Sequence, residues 1–157
     1  MIEHRVISAP GGPVRLTLPR RLGIYGVGLA VWLTGALWLL FYYFFKREGP
    51  LGIAPHALES WWLTLHGAGA FAAVWAFGWL WNAHIAKGWG TGRKRQSGGL
   101  LVATLTWLTL SGYLLYYVGH EEIRAIISVL HWSSGLVCPI PFIVHRIRNH
   151  APRQHVR

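Results

Sequence analysis

Four long apolar runs leave this chain little choice of environment. Positions 22–45 read LGIYGVGLAVWLTGALWLLFYYFF, twenty-four residues without a formal charge. About 20 apolar residues of helix cross a bilayer core. Three further runs, 61–86, 100–118 and 123–147, have similar length and carry few charges. Unpaired backbone groups are intolerable in lipid, so such runs are expected to be helices. The expectation is one all-α integral membrane domain over 1–157: a four-helix bundle with tails 1–21 and 148–157. Composition agrees, because 53% of residues are hydrophobic and only 13% charged, against about a quarter charged in soluble domains. No large soluble catalytic domain fits beside the spans. The first run exceeds the apolar core of a signal peptide and no A-x-A site follows it, so it is expected to be an uncleaved anchor.

Fifteen Lys and Arg against five acidic residues give +10. Four cations lie before the first span (Arg5, Arg15, Arg20, Arg21), four after the second (Lys87, Arg93, Lys94, Arg95) and four from the end of the fourth onward (Arg146, Arg148, Arg153, Arg157). The other two connections carry Lys46, Arg47 and Arg124 among Glu48, Glu59, Glu121 and Glu122. By the positive-inside rule, both termini and the middle loop are expected to be cytoplasmic, in a multi-pass protein of the inner membrane. The basic excess then reads as a topology signal. No basic helix face or RNA-binding motif points to nucleic acid. The glycines of the middle loop GWGTGRKRQSGG lack a GxxxxGK[ST] pattern and a preceding strand, so a flexible turn is expected rather than a phosphate site. Single Cys138 excludes an internal disulfide and multi-thiolate metal centres, and there is no CxxCH for c-type haem attachment.

Ionisable residues at membrane depth are functional candidates. Four of the nine histidines occupy alternate spans: His66 and His84 in the second, His131 and His145 in the fourth. At 100° per residue, the eighteen-residue step from His66 to His84 is five whole turns, and the fourteen-residue step from His131 to His145 departs from one face by about 40°. The two spans run parallel, so His66 is expected to meet His131 near the outer leaflet, and His84 to meet His145 near the inner one. The helical rises differ, ~27 Å against ~21 Å. Both pairs therefore form only if the helices tilt differently or one is irregular, and Pro139 and Pro141 are positioned to kink the fourth.

Two imidazoles in an apolar bundle suit the axial positions of haem b. Gly67, Ala68, Gly69 and Ala70 after His66, Ser133, Ser134 and Gly135 after His131, and Gly112 in the third span leave room for a macrocycle. One or two b haems are expected: two if both pairs ligate, one if only His66 and His131 do. The alternative is a haem-free scaffold in which the histidines tie helices together by hydrogen bonds. Arg20, Lys87, Arg93, Arg146 and Arg148 are candidates to neutralise propionates, though topology alone explains them. Glycines 23, 26 and 28 are expected to support close helix packing. Trp61, Trp62, Trp79, Trp81 and Trp89 read as interfacial anchors. His56, Glu59, His120, Glu121 and Glu122 are expected to form an outer polar rim suited to docking a soluble donor or exchanging quinone protons.

The third span ending LSGYLLYY, a short connection, then LHWSSGL and FIVHRI fourteen residues on, resembles the membrane cytochrome b subunits of the cytochrome b561-like and formate dehydrogenase or hydrogenase gamma-subunit group. The resemblance covers the last three spans. It implies two b haems ligated by His66, His131, His84 and His145, and electron relay between a quinone pool and a redox partner subunit or periplasmic cytochrome. Such a protein is an electron-transfer subunit with no catalytic residue of its own, embedded in lipid and without a nucleic-acid partner. The sequence departs from the group in having no His in spans one and three and in the eighteen-residue spacing of span two.

Overall fold

The computed structural model describes residues 17–49, 52–86 and 95–147. It is an all-α molecule whose helices include four long and apolar enough to cross a membrane, as expected of a multi-pass membrane protein. Helix α1 spans Leu18–Phe44 and α2 Ala57–Leu80, continued by a π-helical turn at Trp81–Ile85. Helix α3 spans Arg95–Tyr117, α4 Glu121–Val137 and α5 Pro139–Ile147.

Most boundaries lie outside the apolar windows because helix-start chemistry tolerates polar residues. Pro19 sits in the first turn of α1, where its missing N–H would have had no partner, so the helix takes in Arg20 and Arg21. Glu59 lies in the first turn of α2, and Glu121 and Glu122 in that of α4. Each faces the positive end of its helix dipole. Helix α3 begins at Arg95, so Ser97, Gly98 and Gly99 are helical rather than part of the middle loop. Two consecutive glycines oppose helix formation by propensity; packing against α5, described below, overrides it.

Between α1 and α2 the Pro/Gly-containing connection folds into a small antiparallel hairpin, β1 (Arg47–Gly49) with β2 (Gly52–Ala54), in the register Arg47↔Ala54, Glu48↔Ile53 and Gly49↔Gly52. Gly52 takes φ +108°, open to glycine alone without strain. His56 then caps α2, its Nδ1 accepting from the Leu58 N–H at 3.1 Å.

Helix packing divides the molecule into two hairpins. Helix α1 lies along α2, and α3 lies along α4 and α5; α1 also approaches α4. Glycine permits the α1–α2 contact: a Cβ on Gly69 would stand 3.0 Å from Val31 Cγ2, and one on Gly35 would stand 3.0 Å from the His66 ring. This is the small-residue packing by which membrane helices approach closely. The expectation for glycines 23, 26 and 28 fails, since no described atom lies within 4 Å of where their Cβ atoms would be; they pack against nothing described. Among the described residues no apolar side chain is buried; only Ser97 and Ser111 are. Phe71 and Trp75 on α2 and Tyr116 on α3 are 82%, 76% and 80% exposed, as suits side chains whose solvent is lipid.

Candidate functional site

The four singled-out histidines meet in two pairs across the gap between the hairpins. His66 on α2 faces His131 on α4 with ring centroids 6.3 Å apart and planes at 84°. His84, in the π-helical turn, faces His145 on α5 at 6.3 Å and 89°. The two pairs share one separation and nearly one angle, although they are built on different local backbone.

Both spans depart from regular helix near these residues. His84 stands inside a π-helical turn, a distortion often found at functional positions. On the other side one turn residue, Cys138, with right-handed helical φ −50° and ψ −32°, separates α4 from α5, which together make one membrane-length helix, Glu121–Ile147. Pro139 has no N–H for the Gly135 carbonyl and Pro141 none for that of Val137. The Cys138 N–H keeps the regular helical bond to Ser134 O at 2.9 Å and also approaches Gly135 O at 3.3 Å.

The helices without histidine hold the rings in place. His66 Nδ1 lies 2.9 Å from the Val31 carbonyl of α1. A carbonyl only accepts, so Nδ1 carries the proton and Nε2 presents a lone pair. His131 Nδ1 lies 2.8 Å from Ser111 Oγ, which lies 2.7 Å from the Trp107 carbonyl. The serine has one proton to give, and giving it to the carbonyl leaves its oxygen to accept from Nδ1–H; Nε2 of His131 is again the bare nitrogen. Ser97 Oγ stands 3.2 Å from His145 Nδ1. A glycine follows each serine: Cβ atoms on Gly112 and Gly98 would stand 3.3 Å from His131 Cε1 and 3.6 Å from His145 Cε1.

Helix α3 thus presents the same dipeptide twice, Ser97-Gly98 and Ser111-Gly112, fourteen residues apart. His145 and His131 are also fourteen apart, so one antiparallel register seats both. Sequence reasoning named neither serine, although the matched spacing of the two Ser-Gly pairs was the available signal. It also missed Gly35, an isolated glycine in an apolar run. Gly112 makes room for the His131 imidazole. Gly69 serves the α1 contact, and Gly67 lies nearest the Tyr116 hydroxyl, 3.6 Å from its would-be Cβ. Ser134 accepts from Trp107 Nε1 at 3.1 Å and ties α4 to α3.

Two trans imidazoles on one metal, with bonds of about 2.0 Å and about 1.1 Å from nitrogen to ring centre, place their centroids about 6.2–6.3 Å apart. Both pairs match that separation. Among the described residues no group of three or more His, Cys, Asp or Glu gathers, so each pair offers two donors, both nitrogen. A haem needs no more from protein, since its macrocycle fills the remaining equatorial positions of the iron.

Of the candidate propionate partners, Arg20 lies over the Trp79 ring at 5.4 Å and Arg146 over Tyr25 at 5.0 Å. Lys87, Arg93 and Arg148 fall outside the described residues, as does Trp89. In the expected polar rim, Glu59 pairs with Lys46 at 3.7 Å and His56 serves as a helix cap, so both have structural employment. Compared with protein families, with characterised proteins and with solved structures, the chain shows no match, and the likeness to membrane cytochromes b carried by LSGYLLYY and LHWSSGL gains no support from them.

Proposed function

We propose that this protein is a transmembrane cytochrome b that holds two b haems, one between His66 and His131 and one between His84 and His145. The observation that carries the reading is the repeated 6.3 Å separation of the paired rings, the value expected for two imidazoles on one metal. At the first pair, Nδ1 of each ring is hydrogen-bonded within its own hairpin, which leaves Nε2 as the nitrogen with the lone pair; metal-ligating histidines are held by their other nitrogen in this way. Haem iron supplies one-electron transfer between its ferrous and ferric states. The chain's part is to fix the imidazoles, separate the two sites by about 21 Å along α3 and surround them with apolar residues. Relay between a quinone pool and a redox partner subunit or periplasmic cytochrome follows, with both termini on the cytoplasmic side of the inner membrane by the distribution of cations.

The decisive experiment is a reduced-minus-oxidised spectrum of the purified protein with pyridine haemochrome quantitation. Two b haems per chain are expected. One per chain would remove a site, and absence of b-type bands would end the proposal.

A second reading, a haem-free scaffold, draws on a specific feature: His66, His131 and His145 each hydrogen-bond a neighbouring helix of their own hairpin. It accounts for the Nδ1 atoms but not for the matched approach of two rings across the gap, twice. His66→Ala separates the readings by loss of half the haem rather than loss of fold alone.

A further inference from the structure

Resting on the cytochrome reading, we infer that the two Ser-Gly dipeptides of α3 are positioning elements that set the azimuth of His131 and His145, so that each haem iron has axial imidazoles in nearly perpendicular planes. The ring planes cross at 84° and 89°. A ligand ring spins about its iron–nitrogen axis unless something holds it, and here two contacts do so on the α3 side of each site. The serine hydroxyl takes the Nδ1 edge, 2.8 Å from His131 and 3.2 Å from His145. The following glycine admits the Cε1 edge, at 3.3 Å and 3.6 Å from where a Cβ would be. Ser111 is wholly buried and Ser97 5% exposed, the two most enclosed side chains described, so neither hydroxyl has room to wander. At the first site the opposing ring is pinned independently, His66 by the Val31 carbonyl with Gly35 at its edge. Two clamps on different helices therefore define the crossing.

The electronic consequence follows from orbital symmetry. Each imidazole donates π density in one plane only. Perpendicular rings act on both iron dπ orbitals alike and leave them nearly degenerate, which makes the low-spin ferric signal strongly anisotropic with one large g feature. Parallel rings split the pair and give an ordinary rhombic three-line signal.

Low-temperature electron paramagnetic resonance of the oxidised, haem-loaded full chain tests this. Both haems are expected to give the large-g signal. Ser111→Ala should convert the signal of the His66–His131 haem alone to the rhombic type and weaken retention of that haem roughly 10- to 100-fold, the usual effect of removing a ligand's hydrogen-bond partner. Ser97→Ala should do the same for the other haem only. If Ser111→Ala loses its haem altogether, Gly112→Ala decides, because it keeps the hydroxyl and moves only the ring; a changed signal for that haem supports the clamp. Rhombic signals for both haems in the unaltered protein overturn the inference, as do variants whose signals stay as they were, and both results leave the cytochrome reading standing. Absence of haem bands defeats that reading itself.

Discussion

Each imidazole of the first pair is held at one nitrogen and at one ring edge, and both contacts are intolerant of small changes. A methyl group on Gly35 would meet His66 Nδ1 and Cε1 at 3.0 Å, tighter than nine in ten real contacts of that kind. Gly35→Ala is therefore expected to push the ring off its position, with an overpacking cost of about 1–3 kcal/mol. Its effect should appear as loss of the His66–His131 haem band while the other haem persists. Gly23→Ala is the control, since nothing described stands within 4 Å of that position, and it should leave both bands unchanged. Likewise His131→Ala should remove one haem and His145→Ala the other, measured by haemochrome content per chain. An equal haem content in all four proteins would contradict the pairing. The histidines were legible because ionisable groups are rare at such depth. Gly35 was not, because an isolated glycine in an apolar run has no meaning until its neighbour is known.

At the scale of the element, regular helices alone do not bring both pairs to matching depth. A π-helical turn carries His84 and one turn residue, Cys138, lies between His131 and His145. Two prolines follow it that cannot donate into the ladder. Replacing both, in Pro139→Ala with Pro141→Ala, should restore the two missing backbone hydrogen bonds and shift His145 relative to His84. The expected outcome is a protein with the His66–His131 haem only, measured by spectrum and haem count; two haems would show the prolines to be dispensable. The prolines were readable in advance and the π-helical turn was not. Trp81–Ile85 contains neither Pro nor Gly, so no helix-breaking residue marks the distortion. The start of α3 shows the same limit, since Gly98 is helical where His145 lies against it.

For the whole molecule, two hairpins meet with little direct backbone contact, α1 with α4 being the notable approach. No apolar side chain among the described residues is buried, so side-chain packing alone gives the assembly little interior. Under the proposed function, haem binding couples the hairpins and belongs to the folding energy. A ligand held at a thousand times its dissociation constant adds about 4 kcal/mol. Protein produced under haem limitation should therefore unfold at a lower temperature in detergent than the loaded protein, and proteolysis should cut it faster in the connections between hairpins. Equal melting temperatures for the two preparations would favour the haem-free scaffold.

The amino-acid sequence by itself determined the four helices, their apolar surfaces and the alternation that places histidines on the second and fourth spans. These depend on local composition and on a helical period that lipid enforces. It also contained the matched fourteen-residue steps that seat His131 and His145 on α3. Only the tertiary structure decided which atoms hold each ring, where α2 and the fourth span depart from regular helix, and that both pairs close to one distance. Those outcomes depend on how closely two helices approach, which is set at each contact by a glycine on one helix and the side chain it admits from another.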